Sequence, residues 1–157
     1  MTILRLAASR DELRIVSDQV GAPTCALEVA VATTTILSRM GTDNNGSFVF
    51  PGTGGFYHMS AAGQTTWCEF AKTILESAET ASGGLAWFAA ATKGQPLKAR
   101  RIVPISTKEF ASCTRRPAYS VLANSRLNQT FGVALPDWRD QLQGRFADER
   151  AATISTA

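Results

Sequence analysis

The chain reads as an α/β protein with few strands and about four to five helices, judged by apolar periodicity. Three observations support this. Leu13, Arg14, Ile15 and Val16 make a short apolar run that stops at Asp18-Gln19, and Gly21, Ala22, Pro23 and Thr24 then lead into a long helical stretch. Such a segment is a strand, a tight turn and a helix start: Gly21 tolerates φ > 0, Pro23 has a fixed φ and no N–H, and Thr24 is suited to cap the first turn. Further strand-like runs follow at residues 56–60 and 101–105, alternating with helical stretches. These are too few strands for a complete dinucleotide-binding sheet.

The elements follow in order. Residues 1–10 form the tail of a helix whose apolar side is Ile3, Leu4, Leu6 and Ala7. Residues 24–40 form a second helix, and Gly41 is placed to end it as a C-cap. The stretch 42–55 holds Asn44, Asn45, Gly46 and Pro51 around Phe48-Val49-Phe50, which suits a loop or short hairpin. After the strand at 56–60, Thr66 opens a long helix, with Thr66 and Glu69 spaced as a capping box. Trp67, Phe70, Ala71, Ile74 and Leu75 share one helical face, a core stripe rather than a cofactor site.

Residues 77–98 look like an insertion. Ser82, Gly83 and Gly84 break the pattern, residues 85–91 are apolar with Trp87 and Phe88, and Gly94 and Pro96 close the segment. It reads as a short helix packed on the body; left exposed, it would be a partner surface. Ser106 or Thr107 then caps a short helix containing Glu109 and Phe110. Residues 119–122 are extended, 124–131 helical with Gly132 as terminator, and the last helix begins at Pro136 or Asp137. Residues 148–157 form a small polar tail expected to fray.

Composition narrows the function classes. The 157 residues, 45% apolar and 18% charged, suit one domain or slightly more and exclude wholesale disorder. The net charge is +3, with one basic cluster at Lys98, Arg100 and Arg101 and a pair at Arg115-Arg116. There is no basic stripe interleaved with aromatics, so no nucleic-acid footprint. Mild positive potential does suit an anionic ligand. Cys25, Cys68 and Cys113 are far apart and form no C-x-x-C, and His58 is the sole histidine, which argues against a zinc site. Reduced thiols, no signal peptide and no run of 18 apolar residues give the expectation of a cytoplasmic protein without a membrane span.

Several blocks then carry a resemblance. The segment 13–24, the block Gly55-Phe56-Tyr57-His58-Met59-Ser60, the block Thr66-Trp67-Cys68-Glu69-Phe70-Ala71, the block Arg116 to Leu122, and the closing Phe131-Gly132 and Leu135-Pro136-Asp137-Trp138 occur in the order of the dTDP-4-dehydrorhamnose reductase family. That family is NADPH-dependent and belongs to the extended short-chain dehydrogenase/reductases. The resemblance implies an α/β C-terminal substrate-binding lobe with an incomplete Rossmann sheet. The lobe would span residues 1–147, with 1–12 as a junction helix and 77–98 inserted. The family's glycine-rich cofactor loop and Tyr-x-x-x-Lys pair have no counterpart here. Tyr57 and Tyr119 are followed four positions on by Ala61 and Ala123, and Gly52-Thr53-Gly54-Gly55 fails the G-x-G-x-x-G pattern. No catalytic, cofactor-binding or metal-binding residue is therefore assigned, and the isolated chain is expected to be inactive. NADPH would belong to the complete enzyme.

Position by position, the resemblance puts Gln19, Gly21, Pro23 and Thr24 near a substrate cleft. A glutamine amide both donates and accepts. Arg116 is the other candidate: a guanidinium grips phosphate bidentately, or it forms a salt bridge or helix-terminus contact. Asp18 is read as an Asx-type turn former, His58 as a structural histidine within its strand, and Trp67 and Trp138 as packing anchors. The implied partners are a dTDP-sugar, a separate N-terminal cofactor-binding half and a second copy in a homodimer. The competing class is a non-catalytic binding or regulatory module built on the same fold.

Overall fold

A computed structural model describes residues 2–49, 52–80, 85–111 and 114–147. The described chain forms two compact units: Met1–Gly21, Thr65–Ser120 and Leu142–Ala157 make the first, and Ala22–Gln64 and Val121–Gln141 the second.

The first unit is organised by two parallel strands, β1 (Glu12–Val16) and β6 (Arg101–Ile105), numbered in chain order. They pair residue for residue from Glu12 with Arg101 to Val16 with Ile105. The helix α1 (Thr2–Ser9) sets that register, because the Lys98 and Ala99 N–H groups donate to the Ala7 carbonyl and the Arg100 N–H donates to Asp11. An exposed Glu12–Arg101 ion pair at 2.8 Å closes the start of the ladder and contributes at most about 1 kcal/mol. Val20–Gly21 (β2) pairs antiparallel with Thr65–Thr66 (β5), which leads into α3 (Trp67–Thr80).

Helix α3 begins as expected, with the Thr66 hydroxyl accepting from the Glu69 N–H at 3.1 Å. The Glu69 carboxylate turns instead to Lys72 at 3.5 Å. The core stripe holds at Phe70, Ala71, Ile74 and Leu75 and is joined by the buried Cys68, whereas Trp67 is 47% exposed. The segment 77–98 builds α4 (Ala86–Thr92), which packs on the body. Its Trp87 meets Phe146 at 5.1 Å, in a core with Leu4, Ile74 and Ala91. Lys93 at φ 55° and Gly94 at φ 68° terminate it. The break at Ser82, Gly83 and Gly84, like Cys113 and the tail 148–157, lies outside the described residues. Cys25 and Cys68 are free thiols.

The second unit holds α2 (Ala26–Ser38), the hairpin β3 (Gly41–Thr42) and β4 (Phe48–Val49), and α6 (Ser125–Phe131). Gly41 belongs to the hairpin, and Arg39 ends α2. The Asp43 carboxylate accepts from the Asn45 and Ser47 N–H groups and shapes the hairpin turn. Ala32, Leu127, Val133 and Leu135 form the core, with Tyr57 against Phe131 at 4.9 Å. Gly132 at φ 63° ends α6. Trp138 opens α7 (Trp138–Ala147) with 1% of its surface exposed and its indole N–H donating to the Gln64 carbonyl.

The expected strand at 56–60 does not form. Phe56 is 94% exposed, and no neighbouring strand supplies a ladder for this segment among the described residues. A side chain replaces the ladder: Asn124 accepts from the Ser60 N–H and donates to the Ser60 carbonyl at 2.8 Å. His58 is accordingly an exposed residue of irregular chain, not a strand residue.

Leu127→Ala should cost about 2–5 kcal/mol, the range for a buried leucine with little room to collapse. Gly132→Ala should cost about 1 kcal/mol through the left-handed backbone. Urea denaturation followed by circular dichroism measures both; a loss under about 0.5 kcal/mol at Leu127 would contradict the core described.

Candidate ligand-binding site

The loop that follows β1 meets the start of α5 (Thr107–Phe110) in the first unit. Both Asp18 carboxylate oxygens accept from the Thr107 N–H at 2.9 Å, and the Thr107 hydroxyl donates to Asp18 Oδ1 at 2.6 Å. Asp18 therefore caps a helix 89 residues away in sequence instead of turning its own loop, as the residue type alone suggested. Beside it, Ser106 and Glu109 form a complete capping box. Three donors at this helix start, the N–H groups of Ser106, Thr107 and Glu109, are thus claimed locally or by Asp18.

Gln19 is buried, with 9% of its surface exposed. Its amide nitrogen Nε2 donates to the Thr107 hydroxyl oxygen at 3.0 Å. Gln19 borders a cavity of about 810 Å³ within this unit. Trp67, Phe70, Trp87 and Phe146 supply its aromatic walls, and Arg14, Arg116 and Arg145 its positive charge. That volume and mixture fit a nucleotide-sized anion with an apolar face, since ligand pockets fall in the range of about 300–1,000 Å³. Arg116 is exposed at this cavity and pairs with no carboxylate among the described residues.

The remaining sequence-derived candidates have other placements. Gly21 sits in β2 without a positive φ. A Cβ there would lie 3.1 Å from the Ser120 hydroxyl, so close approach, not left-handed backbone, favours glycine. Pro23 is half-buried in the loop that follows, in the second unit. Thr24 does not cap α2: its hydroxyl donates to the Ala22 carbonyl and accepts from the Ala61 N–H at 2.9 Å. Helix α2 starts later, with Cys25 as N-cap and no side-chain cap bond of its own. The Cys25 N–H donates to Gln141 Oε1 at 2.8 Å, and Gln141 Nε2 donates to the Pro136 carbonyl. Sequence reading missed Gln141 and Asn124, because each acts through a partner far away in the chain. It also missed the arginines Arg14 and Arg145 as cavity residues and read Trp67 as core.

Among the described residues no group of three or more His, Cys, Asp or Glu side chains is placed to hold a metal ion. No helix among them is long and apolar enough to cross a membrane. The glycine run Gly52, Thr53, Gly54 and Gly55 leads into irregular chain and not into a helix N-terminus, so it does not fit a dinucleotide pyrophosphate.

Residues 1–151 match the family described as RmlD substrate binding domain, and the chain belongs to that family. It is 44% identical over 139 residues to a dTDP-4-dehydrorhamnose reductase of Burkholderia thailandensis, covering 88% of this chain and 42% of the relative. The reductase of Escherichia coli K12 is 33% identical over 138 residues, covering 88% of this chain and 40% of the relative. The spore coat polysaccharide biosynthesis protein SpsK of Bacillus subtilis is 31% identical over 153 residues, covering 96% and 42%. A dTDP-4-dehydrorhamnose reductase of Bacillus anthracis, solved in complex with NADP, superposes with a TM-score of 0.69 at 27% identity, over 93% of this chain and 41% of that one. The chain thus spans about 40% of the length of the relatives it matches and corresponds to their C-terminal, substrate-binding part.

Hydrogen bonds hold both site carboxylates below their ordinary range. For Asp18 the Thr107 hydroxyl is the largest cause and the Thr107 N–H the next; for Glu109 the Ser106 N–H leads and its hydroxyl follows. The unfolded chain takes up protons at these positions first as pH falls. The stability they lend is whole above the ordinary values, 3.8 and 4.5, and is lost as pH drops through the lowered native ones. Acid unfolding should therefore be steeper for the wild-type chain than for Asp18→Asn below that range; equal slopes by tryptophan fluorescence would contradict the cap.

Proposed function

We propose that this chain is the sugar-nucleotide-binding part of a dTDP-4-dehydrorhamnose reductase, serving NADPH-dependent reduction of a 4-keto sugar nucleotide in dTDP-L-rhamnose biosynthesis. The observation that carries the reading is the cavity of the first unit, which joins Gln19 and the guanidinium of Arg116, paired with no carboxylate among the described residues, to an aromatic wall in a chain of this family.

The roles follow from chemistry. Arg116 holds a diphosphate oxygen through charge-assisted hydrogen bonds, and the aromatic walls take the apolar faces of base and sugar. Gln19 meets a polar group of the ligand. Gly21 keeps the chain after Gln19 in shape through its close approach to Ser120, and Pro23 and Thr24 are retained as substrate-contact candidates by the family resemblance. Hydride chemistry needs a nicotinamide and a proton donor held outside these residues. A separate or preceding cofactor-binding half supplies them, in the cytoplasm, and the assembled enzyme pairs as a homodimer.

Calorimetric titration of the chain with dTDP tests the binding role. Arg116→Ala should weaken dTDP about 10-fold or more, the value of a hydrogen bond to a charged group, with the fold intact by circular dichroism. Unchanged affinity would remove Arg116 from the site, and no dTDP binding at millimolar concentration by the wild-type chain would overturn the reading. With dTDP-4-dehydro-6-deoxy-L-mannose and NADPH, the chain by itself should give no NADPH oxidation, and adding the N-terminal part of a relative should restore it.

A further inference from the structure

We propose that Thr107 is a positioning residue that fixes the Gln19 amide with its carbonyl oxygen available to ligand, so that the site selects a group that donates a hydrogen bond. The inference rests on the reading of the first unit's cavity as the sugar-nucleotide site.

The argument is one of proton counting. The Thr107 hydroxyl has one proton, and at 2.6 Å from Asp18 Oδ1 that proton goes to the carboxylate. An ionised carboxylate has no proton to give in return, and Asp18 is held ionised by the same bonds. The Thr107 oxygen is therefore left as an acceptor only. The Gln19 atom at 3.0 Å from it must then be the NH₂ end, because two acceptors would repel. A glutamine amide is otherwise free to present either end, but here the carboxylate of Asp18 dictates the orientation through one hydroxyl.

Fixing the nitrogen fixes the oxygen. Gln19 Oε1 has no hydrogen-bond partner among the described residues, although the side chain is 91% buried by the exposure of 9% and borders the cavity. Thr53 Oγ1 is the one side-chain atom among the described residues that is both buried and unpartnered, so solvent reaches Gln19 Oε1 until a ligand covers it. A ligand that covers it without bringing an N–H or O–H leaves the acceptor unpaired and is disfavoured against one that donates. On a thymidine nucleotide two groups qualify: the base imide N–H and a sugar hydroxyl. Asp18 lies behind Thr107 and acts on the ligand only through it.

The test uses the full chain and two readouts. In the ligand-free protein, nuclear magnetic resonance should show the Gln19 side-chain amide protons close to the Thr107 methyl group and slowed in exchange. Thr107→Ser should retain this signature and Thr107→Val should abolish it; Gln19 amide protons that exchange like those of surface glutamines in the wild-type chain would overturn the positioning role whatever the variants do. In titration, Thr107→Val should weaken dTDP about 5-fold, with Thr107→Ser within about 2-fold of wild type. Thr107→Val should have no added effect in the Gln19→Leu background, a coupling that a merely structural residue would not show. N3-methyl-dTDP losing affinity identifies the imide as the donor, and 3′-deoxy-dTDP losing affinity identifies the hydroxyl; if neither loses, ligand selection by Gln19 is wrong. Failure of dTDP to bind the wild-type chain sinks the cavity reading, while the ligand-free signature still decides the orientation of Gln19.

Discussion

The clamp of Asp18 on Thr107 is the constraint on which the first unit's site depends. It joins the loop after β1 to the start of α5 with three hydrogen bonds, each spanning 89 residues of sequence. The parallel pairing of β1 and β6 ends at Val16 and Ile105, so the clamp sits just beyond the carboxyl ends of both strands. Loops at the carboxyl ends of parallel strands are where α/β proteins gather ligand groups. The clamp takes the Thr107 hydroxyl proton and so sets the Thr107 oxygen as the acceptor that Gln19 meets.

The cavity takes its apolar character from the same strands and from the helices packed beside them. Trp67 faces it because the buried stripe of α3 runs through Cys68, Ala71 and Ile74, which turns Trp67 off the core. Trp87 reaches it from α4, which is held on the unit by Ala91 packed with Leu4 and Ile74 and by the contact of the Trp87 ring with Phe146. Helix α4 is thus part of the wall. Arg14 extends from an exposed position of β1 toward this region, between the buried Leu13 and the half-buried Ile15. An apolar wall with cations at its rim raises the strength of each charge contact by excluding water.

The second unit solves a different problem, the ordering of irregular chain. Residues 56–60 have no ladder, yet Ser60 is 7% exposed and its backbone groups need partners. Asn124 supplies them from the start of α6. Gln141 does the same for the start of α2, spending its oxygen on the Cys25 N–H and its nitrogen on the Pro136 carbonyl. Two amide side chains thereby replace secondary structure at two places, each donating and accepting at once.

Much of this was legible from the residues in order. The strands at 13–16 and 101–105, the helix opened by Thr66, the packed helix of 85–91, a cap at Ser106 or Thr107 and the stop at Gly132 all follow from local rules of periodicity, capping and turn chemistry, which act within a few residues. The family resemblance was legible too, because it rests on ordered short blocks. What local rules could not show were the choices made by distant partners. Thr24 serves Ala61 and not its own helix, Gly41 joins a hairpin and not a cap, residues 56–60 find no strand, and Asp18 serves Thr107. Each of these groups had a short-range use open to it, and a partner distant in the sequence took its place; at part-buried Thr24 the bond to Ala61 meets a donor that would be costly to leave unpaired.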